Sequence, residues 1–330
     1  MTASSEAAVD AQRSPLRAPD FFIVGHAKSG TTALYEMLRP HPQIYMSHVK
    51  EPWFFSTDME PRFNPWRTGI APQTLEQYLA LFAGAQPGQR AGEASSSYLW
   101  SRTAARGIAE VQPNAKIIAI LREPASFLRS LHLQLLQNHV EVKKELRKAI
   151  ALEQARSEGR HIPRRSHRPQ MLQYSDHVRY VEQLRRYHDL FPAEQVLVLI
   201  YDDFRRDNEA ALRTVLRFLE VDDTWPVNVM DTNQSVLVRS QQLDDLVHAV
   251  SVGRGPVTVA AKAAIKALAP RDLRRNLLEF TRRRIVQGEP PAPDEQFMLE
   301  LRRRFKGEVV ALSEYLDRDL VTLWGYDTVD

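Results

Sequence analysis

The sequence predicts an α/β fold: a central parallel sheet flanked by helices in three layers, with helical insertions and a helical C-terminal extension. Three observations predict it. Short apolar runs at Phe21–Val24, Lys116–Leu121 and Val196–Ile200 alternate with stretches of helical periodicity, the pattern of strands joined by crossover helices. Continuous apolar runs, unlike alternating ones, mark strands buried on both faces. A chain of 330 residues, 43% hydrophobic and 26% charged, can bury one large core.

Taken in order, residues 1–19 read as a polar, proline-containing tail. Phe21-Phe22-Ile23-Val24 is a strand ending at Gly25, and Thr31 to Leu38 follows as a helix with Leu34, Met37 and Leu38 on one face. Pro40 and Pro42 stop it. Ile44-Tyr45-Met46 is a second short strand. Thr74 caps a helix reaching Phe82. Lys116 to Leu121 is a strand, and a helix starts at Pro124, where proline suits the first turn; Phe127, Leu128, Leu131 and Leu135 share its inner face. Residues 139–172 read as a lid-like insertion of short helices carrying Arg156, Arg160, Arg164, Arg165 and Arg168. A helix over Ser175–His188, the strand Val196–Ile200 and a helix over Asn208–Leu219 follow. Beyond Asp222 come an irregular stretch to Ser240, an alanine-rich helix at Val257–Leu268, a proline-rich linker at Pro290–Pro293, and a final helix through Phe297–Leu316. The expected organisation is one domain over 20–330, with a core at 20–221 and a cap loop and helical extension at 222–330.

Composition removes several classes of function. The chain has no cysteine, so disulfides, thiolate metal sites and a cysteine nucleophile are out. No apolar run approaches the ~18 residues of a membrane span, and the N-terminus has no apolar signal core, so the expected location is cytoplasmic. Net charge is only +3. The arginines at Arg271, Arg274 and Arg275, at 282–284 and at 302–304 read as solvated helix faces or, more sharply, as an anion-attracting surface. No aromatic residues interleave with them, so nucleic acid is not an expected partner. The alanine-rich stretch, with Lys262 and Lys266, packs on the core or else touches a membrane surface.

The chemistry begins at Gly25-His26-Ala27-Lys28-Ser29-Gly30-Thr31-Thr32. Strand, glycine turn and helix make a P-loop-like corner, in which backbone N–H groups and the positive helix end face an anion. The spacing is that of a nucleotide phosphate loop, with the lysine moved inside it as Lys28 and with Thr31 in its usual place. A second anion grip stands at Leu121-Arg122-Glu123-Pro124, with Ser130 two helical turns further on. Arginine grips a phosphate monoester bidentately and the serine adds a hydroxyl. Two separate grips imply a ligand with two separated phosphate-type groups. An ATP-dependent kinase would also need a magnesium-holding carboxylate at a strand end; Asp202 and Asp203 stand after Val196–Ile200 and keep that alternative open. A non-catalytic nucleotide-binding module is a third reading.

Together the two signals resemble the sulfotransferases that use 3′-phosphoadenosine 5′-phosphosulfate (PAPS). Lys28-Ser29-Gly30-Thr31-Thr32 resembles their 5′-phosphosulfate loop, and Arg122 through Pro124 to Ser130 their 3′-phosphate motif. Lys50-Glu51-Pro52-Trp53-Phe54-Phe55 and Gly92-Glu93 to Tyr98 are similar to segments of the heparan-sulfate-type branch. The likeness spans about residues 21–221. It implies metal-independent, in-line transfer of a sulfuryl group to a hydroxyl, or less readily an amine, leaving 3′,5′-diphosphoadenosine. The acceptor is a small molecule, a glycan or a lipid-linked compound. Lys28 and the loop N–H groups would stabilise charge on the leaving oxygen, and Thr31 and Thr32 would hold the 5′-phosphate. Glu51 is the implied general base, with His132 ranked below it. Asn233, Ser235 and Arg239 are the implied closure over the nucleotide, and Trp53 or Tyr174 would stack on adenine. Two departures, Ala94 after the Gly-Glu pair and Trp53 where a histidine is common, remove polar groups from the acceptor side and weaken the case for a glycosaminoglycan.

Overall fold

The computed structural model describes residues 16–59, 72–226 and 292–330, and a short strand pair at 237–238 and 287–288. The main sheet is parallel, with strands β1 (Phe21–Gly25), β2 (Ile44–Met46), β3 (Arg90–Ala94), β4 (Lys116–Leu121) and β5 (Val196–Ile200) in the order β2-β3-β1-β4-β5. β4 and β5 run in register from Ile117↔Val196 to Leu121↔Ile200, while β1 pairs with β3 through Phe21↔Gly92. The chain changes sides across β1, and in open α/β sheets ligands lie at the carboxyl ends of strands at such a switch.

The period of two decides the layers. Phe22 and Val24 of β1, with Ile117, Ala119 and Leu121 of β4, point into one core. Phe21 and Ile23, with Ile118 and Ile120, point into the other. The second face is covered by α1 (Thr31–Leu38) through Leu34 and Leu38, and by a helix at Asn208–Phe218 through Leu212, Val215 and Leu216. The first is covered by helices at Pro124–Gln137, Tyr180–His188 and Glu295–Tyr315. This is the expected three-layer arrangement. In chain order the remaining helices are α2 (Leu75–Leu79), α3 (Ala104–Val111), α4 (Pro124–Gln137), α5 (Leu146–Ile150), α6 (Glu153–Ser157), α7 (Tyr180–His188), α8 (Tyr201–Arg206), α9 (Asn208–Phe218), α10 (Glu295–Tyr315) and α11 (Leu320–Leu323).

Several elements differ from expectation. Arg90–Ala94 is a strand, although it reads as Arg-Ala-Gly-Glu-Ala. Such a sequence lacks β-branched residues, and packing supplies what propensity does not. Gly92 is needed there: a Cβ would come within 2.1 Å of the Phe21 ring. α3 and α11 were not expected. Arg302, Arg303 and Arg304 fasten α10 to the chain. Arg302 lies 3.6 Å from Glu123, Arg303 donates to the Asp330 carbonyl at 3.2 Å, and Arg304 donates to Ser175 Oγ at 2.8 Å. Tyr326, beyond α11, donates to Glu123 Oε1 at 2.6 Å. Glu123 caps α4 through the amides of Ala125 and Ser126 at 3.1 and 2.7 Å. The C-terminal segment therefore braces the strand end that carries Arg122. The alanine-rich stretch at 257–268, the arginines at 271–284 and most of the expected cap loop lie outside the described residues.

Candidate active site

The carboxyl ends of β3, β1, β4 and β5 open into one cleft of about 1130 Å3. Lys28, Gly30, Thr31, Thr32, Glu51, Arg122 and Ser130 all line it. The structure thus gathers residues that lie as much as 102 positions apart, from Lys28 to Ser130. Ser29 is fully buried behind the loop, its hydroxyl 3.4 Å from the Ala27 carbonyl. Gly30 takes φ 92°, and no side chain caps α1. Its left-handed turn is open to glycine at little cost and leaves the helix start facing the cleft.

Lys28 and Arg122 form a cationic pair. Arg122 Nη1 donates to the Lys28 carbonyl at 2.9 Å, and its guanidinium lies 4.6 Å from the centre of the Tyr201 ring. The Tyr180 hydroxyl donates to the Arg122 carbonyl at 2.8 Å. Burial lowers the Lys28 pKa, and repulsion from Arg122 lowers it further. Burial lowers that of Arg122 as well. No carboxylate among the described residues makes an ion pair with either. The charges of Asp202 and Glu123 act on Arg122 without forming an ion pair with it, and two adjacent, poorly solvated cations that lack such a pair are costly by themselves. With the open end of α1 they fit an anionic ligand.

Glu51 is held from four sides. Its Oε1 accepts from Lys50 Nζ at 2.9 Å and from Ser96 Oγ at 2.8 Å. Its Oε2 accepts from Trp53 Nε1 at 2.7 Å and from the Ser96 amide at 2.9 Å. The backbone is equally constrained. Glu51 and Trp53 have φ of 58° and 56°, and Lys28 has 61°. Non-glycine residues in this region carry strain of order 1 kcal/mol or more, which clusters at functional sites. The Glu51 amide bonds to the Ala94 carbonyl at 2.9 Å and the Trp53 amide to Ser95 Oγ at 3.3 Å, so the end of β3 enforces the turn. Ser96 escaped the sequence reading. Its signal was the Ser95-Ser96-Ser97 run after the Gly-Glu pair. Gln134 and Asn138 also line the cleft and follow Ser130 at spacings of four, one face of α4.

Other expected residues are placed elsewhere. His132 is 3% exposed, with Nδ1 at 2.9 Å from the Tyr174 hydroxyl and Nε2 at 3.0 Å from the Lys144 carbonyl. Both ring nitrogens are engaged away from the cleft, because α4 turns position 132 inward while 130 and 134 face the cleft. Burial lowers its pKa. Tyr174 is fully buried in the same network and presents no face for adenine to stack on. Arg156 of the insertion does not line the cleft: its side chain is wholly enclosed and forks onto Glu141 at 2.6 and 2.8 Å. Asp202 accepts from Trp324 Nε1 at 2.9 Å, and Asp203 pairs with Arg206 and Arg318. Both carboxylates thus serve the C-terminal segment, and neither lines the cleft, which removes the support for a magnesium-dependent kinase. Asn233, Ser235 and Arg239 lie outside the described residues.

The model of the sulfotransferase family matches residues 19–226. The chain belongs to that family. Among curated relatives, mouse carbohydrate sulfotransferase 15 is 31% identical over 153 residues, covering 35% of this chain and 27% of the relative. Human heparan sulfate glucosamine 3-O-sulfotransferase 6 is 36% identical over 110 residues, covering 33% and 28%. The match therefore spans about a quarter of the length of these relatives. A crystal structure of a sulfotransferase from Alicyclobacillus acidocaldarius superposes with a TM-score of 0.64 at 26% identity, covering 93% of this chain and 98% of that one. No helix among the described residues is long and apolar enough to cross a membrane.

Proposed function

We propose that the protein transfers a sulfuryl group from PAPS to a hydroxyl, or less readily an amine, of a small-molecule, glycan or lipid-linked acceptor. The observation that carries the reading is the convergence of Lys28, Thr31, Thr32, Arg122, Ser130 and Glu51 on one cleft in a chain of this family. PAPS supplies an activated sulfuryl group on one phosphate and a second phosphate at the ribose. The helix start with Thr31 and Thr32 suits the first, and Arg122 with Ser130 suits the second. Lys28, between them and adjoining Arg122, stabilises negative charge as it develops on the leaving oxygen. Glu51 takes the acceptor proton. Its four hydrogen bonds fix the carboxylate in one orientation, so geometry rather than mobility presents it.

The test is calorimetric titration with 3′,5′-diphosphoadenosine against ADP, in EDTA, joined to turnover of labelled PAPS. Metal-free binding of the first and weak binding of the second supports both phosphate grips. Glu51→Gln should keep that binding and lose about 10²–10⁴-fold in turnover. Equal binding of the two nucleotides, or binding only with magnesium, sinks the proposal. Turnover untouched by Glu51→Gln removes Glu51 as the base.

A further inference from the structure

The insertion contributes one arginine to the cleft, Arg168, which Glu51 also lines. Its guanidinium carbon Cζ lies over Trp53, 3.6 Å from the ring centre. Nε donates to the Met59 carbonyl at 2.9 Å. Nη1 is buried and has no hydrogen-bond partner among the described residues. No carboxylate among those residues pairs with it, unlike Glu51, whose charge is met by Lys50. Burial alone draws the Arg168 pKa down to about 10. Trp53 links the two groups directly: one face supports the guanidinium and its Nε1 holds Glu51.

A half-buried guanidinium with one enclosed donor lacking a partner among the described residues is costly unless a ligand completes it. The stacking on Trp53 preorganises the planar fork, the geometry that matches an oxyanion. Lys28 and Arg122 provide for the donor phosphates, so Arg168 stands apart from that requirement. We propose that Arg168 is a specificity residue that binds an anionic group, a carboxylate or sulfate ester, on the acceptor, while the acceptor hydroxyl meets Glu51. The acceptor is then an anionic compound, and the surrounding Trp100, Phe127 and Met171 suit a body with an apolar ring. The inference rests on the sulfotransferase reading of the cleft.

The experiment measures binding by calorimetry to the protein saturated with 3′,5′-diphosphoadenosine. The probes are 4-hydroxyphenylacetate and its neutral counterpart 4-hydroxyphenylacetamide. The expected result is that the anion binds about tenfold or more tightly than the amide, as one charge-assisted bidentate contact allows. Arg168→Met, which keeps the stem over Trp53, should abolish the preference, and Arg168→Lys should retain part of it. Diphosphate affinity should be unchanged in both variants. Equal binding of the probes, no measurable binding of either, or a preference that survives Arg168→Met overturns the inference alone. A loss of diphosphate affinity in both variants reassigns Arg168 to the donor side and overturns it too. Failure of the diphosphate to bind the unmodified protein overturns the sulfotransferase reading and takes this inference with it.

Discussion

Glu93 offers a stringent check on the electrostatics of the site. It is fully buried at the end of β3, directly behind the turn that carries Glu51. The Tyr78 hydroxyl donates to its Oε2 at 2.9 Å, while Oε1 accepts no well-formed hydrogen bond among the described residues. Burial pushes the carboxyl from 4.5 up to about 7; the hydroxyls of Ser95, Tyr78 and Tyr98 resist the rise and the charge of Glu51 adds to it. A carboxyl raised on folding contributes stability that is fully present below about pH 4.5 and lost as the pH climbs through about 7. At about 1.4 kcal/mol for each pH unit, the loss amounts to roughly 3 kcal/mol. Glu93→Gln keeps the shape and cannot ionise. Urea unfolding of both proteins, followed by tryptophan fluorescence in steps across this window, gives the difference in stability at each pH. That difference should shift by roughly 3 kcal/mol in favour of the glutamine variant as the pH rises. His26 and His177, held by burial at about 4 and about 3, lose stability as the pH falls, but they titrate alike in both proteins and cancel. Parallel stability curves would refute the argument that Glu93 is a desolvated acid.

Three other perturbations separate binding from architecture. Lys28→Ala and Arg122→Ala each remove one charged hydrogen-bonding group and should weaken 3′,5′-diphosphoadenosine binding by about 1.5–3 kcal/mol, read by calorimetry; affinities within twofold of the unmodified protein would place the anion elsewhere. Arg156→Ala strands the enclosed Glu141 and should cost about 3–5 kcal/mol in chemical unfolding, because a buried charge loses its only guanidinium partner among the described residues; a loss below about 1 kcal/mol would show that water reaches it. Tyr326→Phe removes one hydroxyl donor from Glu123 and should cost about 1–3 kcal/mol, with a lower unfolding midpoint; an unchanged midpoint would mean that the C-terminal segment does not brace α4.

How much of this was legible beforehand varied with the range of the interaction. Strands made of continuous apolar residues, such as Phe21–Val24, and helices with clear periodicity, such as Asn208–Phe218, were local signals. The phosphate-type corner was also local, since glycine at a left-handed turn and a helix start lie within a few residues of each other. β3 was not, because Arg90–Ala94 is a strand only through its neighbours β1 and β2. The two helix positions 130 and 132 show the same limit at finer scale. Both read as polar residues near a motif, yet Ser130 faces the cleft and His132 is sealed under the insertion by Tyr174.

The sequence by itself determined a parallel α/β sheet with two groups of residues suited to anions at its strand ends, Lys28 to Thr32 and Arg122 with Ser130. Those follow from spacing along the chain and from the fixed chemistry of the side chains. Only the tertiary structure decided which charges are paired internally and which have no partner among the described residues. Arg156 and Arg168 stand twelve residues apart in one insertion. One meets Glu141 in the core, and the other lies on Trp53 with a donor unspent. The difference is a matter of which distant carboxylate packing brings within reach, and no local pattern encodes that.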